Sequence, residues 1–158
     1  MKEAIQTLIT SDKMAHAFEY LKQDEEHTID QQIELVQISS FSPFEEKRAI
    51  RFKELLTEAG LDPVMDEVHN VYAHIHGTGN GPTLYVSAHL DTVFPPETPL
   101  PVKREGTKIY APGIGDDTRG LAEILTLARA IKESGLKPVG DIIIGGNVGE
   151  EGLGDLRG

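Results

Sequence analysis

An α/β sandwich is the fold class that this 158-residue sequence predicts, and three observations predict it. Two apolar runs, Thr83 to Ala88 and Asp141 to Gly145, are rich in β-branched and aromatic residues and bounded by Gly, Pro and Asp, which is the pattern of strands. Apolar residues at helical spacing recur before and between them. Helices followed by a hairpin and then a buried strand do not make a helical bundle. Finally, three acidic clusters stand where strands and loops end: HLDTV (His89 to Val93), GIGDDTRG (Gly113 to Gly120) and GNVGEEGLGD (Gly146 to Asp155).

Residues 1–40 read as two or three helices. Ile5, Leu8 and Ile9, then Met14, Ala17, Phe18 and Leu21, then Ile29, Ile33, Val36 and Ile38 fall at roughly helical spacing, with Asp12 and Thr28 as N-caps. The acidic patch Asp24, Glu25 and Glu26 reads as a solvated helix end. Ser42, Pro43 and Glu45 read as a capping box opening a helix that buries Ile50, Phe52, Leu55 and Leu56 and stops at Gly60. Leu61 to Val68 and Val71 to His76 read as strands, and Gly77 to Pro82 as a tight turn into the strand that begins at Thr83.

The four prolines between Phe94 and Val102 forbid both a helix and a central strand, so this stretch wraps the surface near the acidic clusters. Lys108 to Ala111 reads as a short strand. Leu121, Ile124, Leu125, Leu127, Ala128 and Ile131 define a helix packed heavily on the sheet, ended by Gly135 before Pro138 turns the chain into its last strand.

Composition narrows the function. Hydrophobic residues make up 39% and charged residues 26%, an ordinary globular balance. A net charge of -11 opposes binding to nucleic acid or an anionic membrane, since both need a basic face. There is no Cys, so a disulfide scaffold, a zinc ribbon and a thiol nucleophile are excluded, and any metal must be held by His, Asp and Glu. The N-terminus has no apolar signal region and no run approaches a membrane span, so the expected location is cytoplasmic. No G-x-S-x-G elbow and no phosphate loop occurs.

The clusters carry the chemistry. His89 and Asp91 are two apart, so a continuing strand puts both on one face, where Asp91 can orient a metal-binding imidazole; the plainer reading is a strand-end histidine beside a turn-forming Asp. Asp117 reads as the N-cap of the helix that follows, whereas Asp116, one residue back and preceded by Gly113 and Gly115, can reach a metal or bridge two. Glu150 and Glu151 are adjacent carboxylates between Gly149 and Gly152, pointing different ways on extended backbone. They suit one metal ligand and one general base, against the alternative of a solvated acidic loop. His74 and His76 share a strand face that a metal could use, but a half-exposed polar strand face is the simpler account of them. His16, His27 and His69 stand outside any cluster.

Together, His89-Leu90-Asp91-Thr92-Val93, Gly115-Asp116-Asp117 and Gly149-Glu150-Glu151 resemble, in order and spacing, the dinuclear-zinc metallopeptidases of family M-twenty, which include peptidase T, glutamate carboxypeptidase, aminoacylase and acetylornithine deacetylase. The resemblance covers roughly residues 30–158. It implies a three-layer α/β/α sandwich with a central mixed sheet, incomplete at the C-terminus, in which 1–40 is a helical segment packed on the domain and 41–158 is the N-terminal part of the catalytic domain. It further implies that His89 binds one zinc, Asp116 bridges two, Glu151 binds the other, Asp91 orients His89 and Glu150 is the general base. A cis peptide between Asp116 and Asp117 belongs to the same pattern.

The implied activity is zinc-dependent hydrolysis of an amide bond in a small peptide, with Co2+ or Mn2+ as substitute metals. A deacylase of N-acyl amino acids would use the same site, and the YAPGIGDD form, which lacks Y-G-R-G, tilts the reading to the peptidase. The family's further carboxylate and histidine ligands and its lid or dimerisation domain, through which a homodimer would form, lie beyond Gly158. The 158 residues alone are therefore expected to be incomplete and inactive, with an uncovered apolar sheet edge. A non-catalytic binding module keeping the fold is the reading from another class; the intact Asp91 and Glu150 argue against it.

Overall fold

The computed structural model describes residues 2–158. Three helices open the chain: α1 (Lys2–Ile9), α2 (Asp12–Gln23) and α3 (Glu25–Val36). They are followed by α4 (Glu46–Glu58), β1 (Val64–Met65), β2 (Val71–Ile75), β3 (Leu84–His89), β4 (Lys103–Glu105), β5 (Lys108–Tyr110), α5 (Thr118–Glu133), β6 (Ile142–Asn147) and a short 3-10 turn at Gly152–Gly154. No helix among the described residues is long and apolar enough to cross a membrane.

The main sheet has the order β1-β2-β6-β3, mixed in direction: β6 runs antiparallel to β2 and parallel to β3. β6 thus lies between β2 and β3, which are consecutive in sequence. Gly77 to Pro82 is therefore a crossover around the start of β6, not a tight hairpin turn. Its backbone follows the 138–141 segment, with the Thr78 and Gly79 amides donating to the carbonyls of Pro138 and Val139, each at 2.9 Å. A Cβ on Gly77 would stand 2.5 Å from the Gly140 carbonyl oxygen, so the close approach requires glycine. The three-residue β4, which pairs with β5 in a separate hairpin, is entirely exposed and shows no alternation that would reveal it in sequence.

One face of the sheet carries the core. Ala73, Ala88 and Ile144 pack with Phe52, Leu55 and Leu56 of α4 and with Leu121, Ile124, Leu125 and Ala128 of α5. Full burial of each large side chain there contributes about 1.5–3 kcal/mol. The opposite face presents Tyr72, His74, Tyr85, Ser87 and Ile143, all exposed or half-buried, with no helix of the described residues across it. Tyr85 lies over Gly145 on this face and its hydroxyl donates to Asn147 Oδ1 at 2.9 Å.

α5 is buried on two sides. Thr126 and Arg129, turned away from the sheet, meet α2 and α3 through Asp24, which accepts from Thr126 Oγ1 at 2.7 Å and from Arg129 Nη2 at 2.5 Å. Asp24 is therefore a buried ion-pair partner and not the solvated helix end that its acidic neighbours suggest. The caps also differ from expectation. Ser11, not Asp12, caps α2, and the Thr28 hydroxyl donates inward to the Asp24 carbonyl. Ser42 and Pro43 form a cis peptide turn ahead of α4, which starts at Glu46. Gly60 and Gly135 end their helices at φ +81 and +64, as their positions predict.

Candidate metal centre

β3 and β6 run parallel and their carboxyl ends open side by side, the usual place for a site in an α/β sheet. Three elements converge there: the end of β3 brings His89, the turn before α5 brings Asp116 and Asp117, and the loop after β6 brings Glu150 and Glu151. One ligand atom each from His89, Asp116 and Glu151 lies within 4.8 Å of the other two. The three residues read as metal ligands are thus brought together.

His89 is held from both sides. Its Nδ1–H donates to the Asp91 carbonyl oxygen at 3.0 Å, and Nε2 faces Asp116 Oδ1 at 2.8 Å. Burial pulls the imidazole pKa down, but the Asp91 and Asp116 carboxylates beside it, with the charge of Asp117, outweigh it and carry the value up to about 9. Glu151 is shifted the other way for a carboxylate: partial burial and then the neighbouring Asp116 charge raise its pKa. Carboxylates crowded around a single imidazole make a place that favours a cation.

Asp91 does more than orient the histidine. β3 ends at His89, so the alternation argument does not extend to it; the carboxylate is fully buried and stands 3.6 Å from His89 Nδ1, an electrostatic contact and not a hydrogen bond. Its oxygens accept the Glu150 amide at 3.1 Å and the Glu151 amide at 2.7 Å. Burial would raise its pKa, but His89 and these amide donors hold it below the usual carboxylate value. Asp91 therefore fastens the two-glutamate loop to the end of β3. The Glu150 side chain is left exposed toward solvent.

The Asp116–Asp117 peptide is cis. Asp117 caps α5, accepting the Gly120 amide at 3.0 Å, and its second oxygen accepts the His89 amide at 3.2 Å. The capping role is the one its sequence position predicts; the tie to β3 is not.

Several supporting residues give no local signal. Arg48 of α4 is buried, has no carboxylate hydrogen bond among the described residues, and donates to the carbonyls of Leu90 at 2.8 Å and Ile38 at 2.7 Å. Burial lowers its pKa to about 10 against the raising effect of Asp91. Ser40 Oγ donates to the same Leu90 carbonyl at 2.8 Å. Buried Glu45 accepts from the Gly149 amide at 3.3 Å and from Arg157 at 2.6 Å. Only the burial of Arg48 on α4 and of Glu45 just before it marks this bracing, and burial is not visible in sequence. Beside the centre lies a cleft of about 350 Å³ walled by Val93, Phe94, Ala111, Ile114, Asp116 and Glu151.

Comparison with known proteins follows the same residues. Residues 85–158 match the profile of Peptidase family M20/M25/M40. Carboxypeptidase G2 of a Pseudomonas species (strain RS-16) is 38% identical over 84 residues, 52% of this chain and 20% of that protein. Aminopeptidase PepT from Bacillus cereus superimposes with a TM-score of 0.67 at 27% identity, over 79% of this chain and 36% of that one. A tripeptidase from Staphylococcus aureus does so with a TM-score of 0.66 at 31% identity, over 80% and 37%. The chain thus spans between a fifth and somewhat over a third of these relatives. The matched stretch contains all three acidic clusters and the sheet edge that gathers them, and it is in this stretch that the chain is similar to Peptidase family M20/M25/M40.

Proposed function

We infer that this chain carries part of the active centre of a zinc-dependent peptide hydrolase, with His89, Asp116 and Glu151 as metal ligands, Asp91 as positioning residue and Glu150 as general base. The observation that carries the reading is the convergence of one imidazole and two carboxylates within 4.8 Å at the carboxyl edge of the sheet. The donor set fits zinc: His89 Nδ1 is occupied by a carbonyl, which leaves Nε2 as the ligand atom, and nitrogen with carboxylate oxygen is chemistry that zinc accepts. Zinc, when present, supplies a positive charge that polarises a carbonyl oxygen and makes water more acidic.

The chain's own residues supply the rest. Asp91 holds the Glu150 and Glu151 amides and so sets the spacing between the imidazole and the glutamate pair. Glu150, whose side chain is exposed and has no side-chain partner among the described residues, takes a proton from water and delivers it to the departing amine nitrogen. Val93, Phe94, Ala111 and Ile114 form an apolar wall beside Asp116 that suits a hydrophobic side chain next to the scissile amide. Three ligands are few for two ions, so full activity calls for ligands beyond these three.

The test is hydrolysis of tripeptides and of N-acyl amino acids by this chain and by any longer product of its reading frame, with and without Glu150→Gln. The expected result is zinc retention and peptide cleavage in the longer product, with Glu150→Gln slowing cleavage by about a hundredfold or more while zinc content holds. Cleavage of N-acyl amino acids alone would replace the peptidase by the deacylase. A protein that neither retains zinc nor cleaves either substrate would put the binding module first.

A further inference from the structure

At the other end of the same sheet stands a second convergence of metal-ligand side chains, apart from the site just described. His74 lies on β2, and His76 follows one residue beyond the strand on the same face. The register pairs Ile75 with Ile142, so the next pair outward is His76 with Asp141, immediately before β6. Ligand atoms of His74, His76 and Asp141 all lie within 4.8 Å of one another. Six strand residues at about 3.3 Å each separate this group from His89, a distance on the order of 20 Å, so no single ion serves both.

We propose that His74, His76 and Asp141 form a second divalent-cation site, of zinc-type selectivity, on the open face of the sheet. Two imidazoles two residues apart on one strand and a carboxylate from its neighbour make a three-donor set on one side of a cation, with solvent completing the coordination. The carboxylate is already oriented: Asp141 Oδ1 accepts the Gly77 amide at 2.8 Å, which turns Oδ2 toward His76 Nδ1, 3.8 Å away. That separation is too long for a hydrogen bond and leaves both groups available to an ion. The histidine rings stand 5.8 Å apart, centroid to centroid, tilted and not stacked. The base beneath is rigid, because the 77–82 crossover is hydrogen bonded along 138–141 and admits no side chain at Gly77. A cation here would clip the crossover and the outer end of β2 to the start of β6.

The test is a zinc titration of the metal-stripped chain, followed by the ring-nitrogen resonances of its six histidines. The ring nitrogens of His74 and His76 should shift together, independently of His89, and should still do so in Asp116→Ala. Asp141→Ala should weaken that response on the order of tenfold or more. Because Asp141 also receives the Gly77 amide, His74→Gln, an exposed substitution that leaves the loop intact, should weaken the His76 shift to a like degree. Zinc should also raise the melting temperature of Asp116→Ala and leave that of Asp116→Ala/His74→Gln unchanged. The site is overturned if His74 and His76 stay unmoved when His89 is saturated, or if Asp141→Ala and His74→Gln bind as the parent does. Loss of the His89 response alone would instead count against the ligand role inferred for that residue and leave this site standing.

Discussion

The two ends of β6 offer the same donor types under opposite conditions. At its carboxyl end, His89 is clamped by a carbonyl and a carboxylate, and the loops around it are tied by the buried Asp91, Glu45 and Arg48. At its amino end, His74 and His76 stand in solvent, and only Asp141 is fixed, through one backbone amide. The difference teaches where the protein invests rigidity. A centre that performs chemistry needs each ligand held by a second group, whereas a cation clip needs little more than sheet register. The braced end is accordingly costly to disturb, and the open end is not.

Arg48→Ala should show the largest effect on that contrast. It removes a buried side chain and the donors to the Leu90 and Ile38 carbonyls, and should cost on the order of 3 kcal/mol in urea unfolding. Asp91→Ala comes next. It leaves the half-buried amides of Glu150 and Glu151 without their acceptor, at about 1–3 kcal/mol, and should also release the two-glutamate loop, read as faster amide exchange at those residues. If Asp91→Ala left that loop protected, the clamp would be the wrong account of the braced end.

The acid limit should rest on Asp24, between α2 and α3, as well as on Asp91 at the carboxyl end of β6. Burial raises the pKa of Asp24, but hydrogen bonds from Arg129 and Thr126 outweigh it, so the folded value lies below the usual carboxylate value. Its contribution is present above the unfolded pKa and fades as pH falls through the folded one. Stability measured downward from pH 5 should therefore fall less steeply in Asp24→Asn than in the parent. His74→Ala and His76→Ala should have the smallest effect, leaving the metal-free unfolding midpoint where it is, because both side chains are exposed. A clear loss in either would mean that the open end is braced after all.

Much of the site was legible because its signals are local. The glycine-flanked pairs Asp116-Asp117 and Glu150-Glu151, and the His89-x-Asp91 spacing at a strand end, are short motifs whose residue types suit metal chemistry wherever the fold brings them together. Asp117 as helix cap and Gly60 and Gly135 as helix stops follow from backbone hydrogen bonding and left-handed φ within one turn. The 77–82 loop misleads because six turn-forming residues look alike in a tight hairpin and in a crossover. Asp24 misleads because its two acidic neighbours are exposed, and only the docking of α5 turns this one carboxylate inward.

The sequence by itself determined the elements and the chemistry available at their ends: apolar periodicity states how each segment buries a face, and residue type states what its termini can bind. The tertiary structure alone decided strand order, Asp91's hold on the glutamate loop, and the meeting of Asp141 with His74 and His76. These depend on contacts between residues tens of positions apart. Such contacts form only when the apolar faces of α4, α5 and the sheet pack together and fix the register of β6 between β2 and β3.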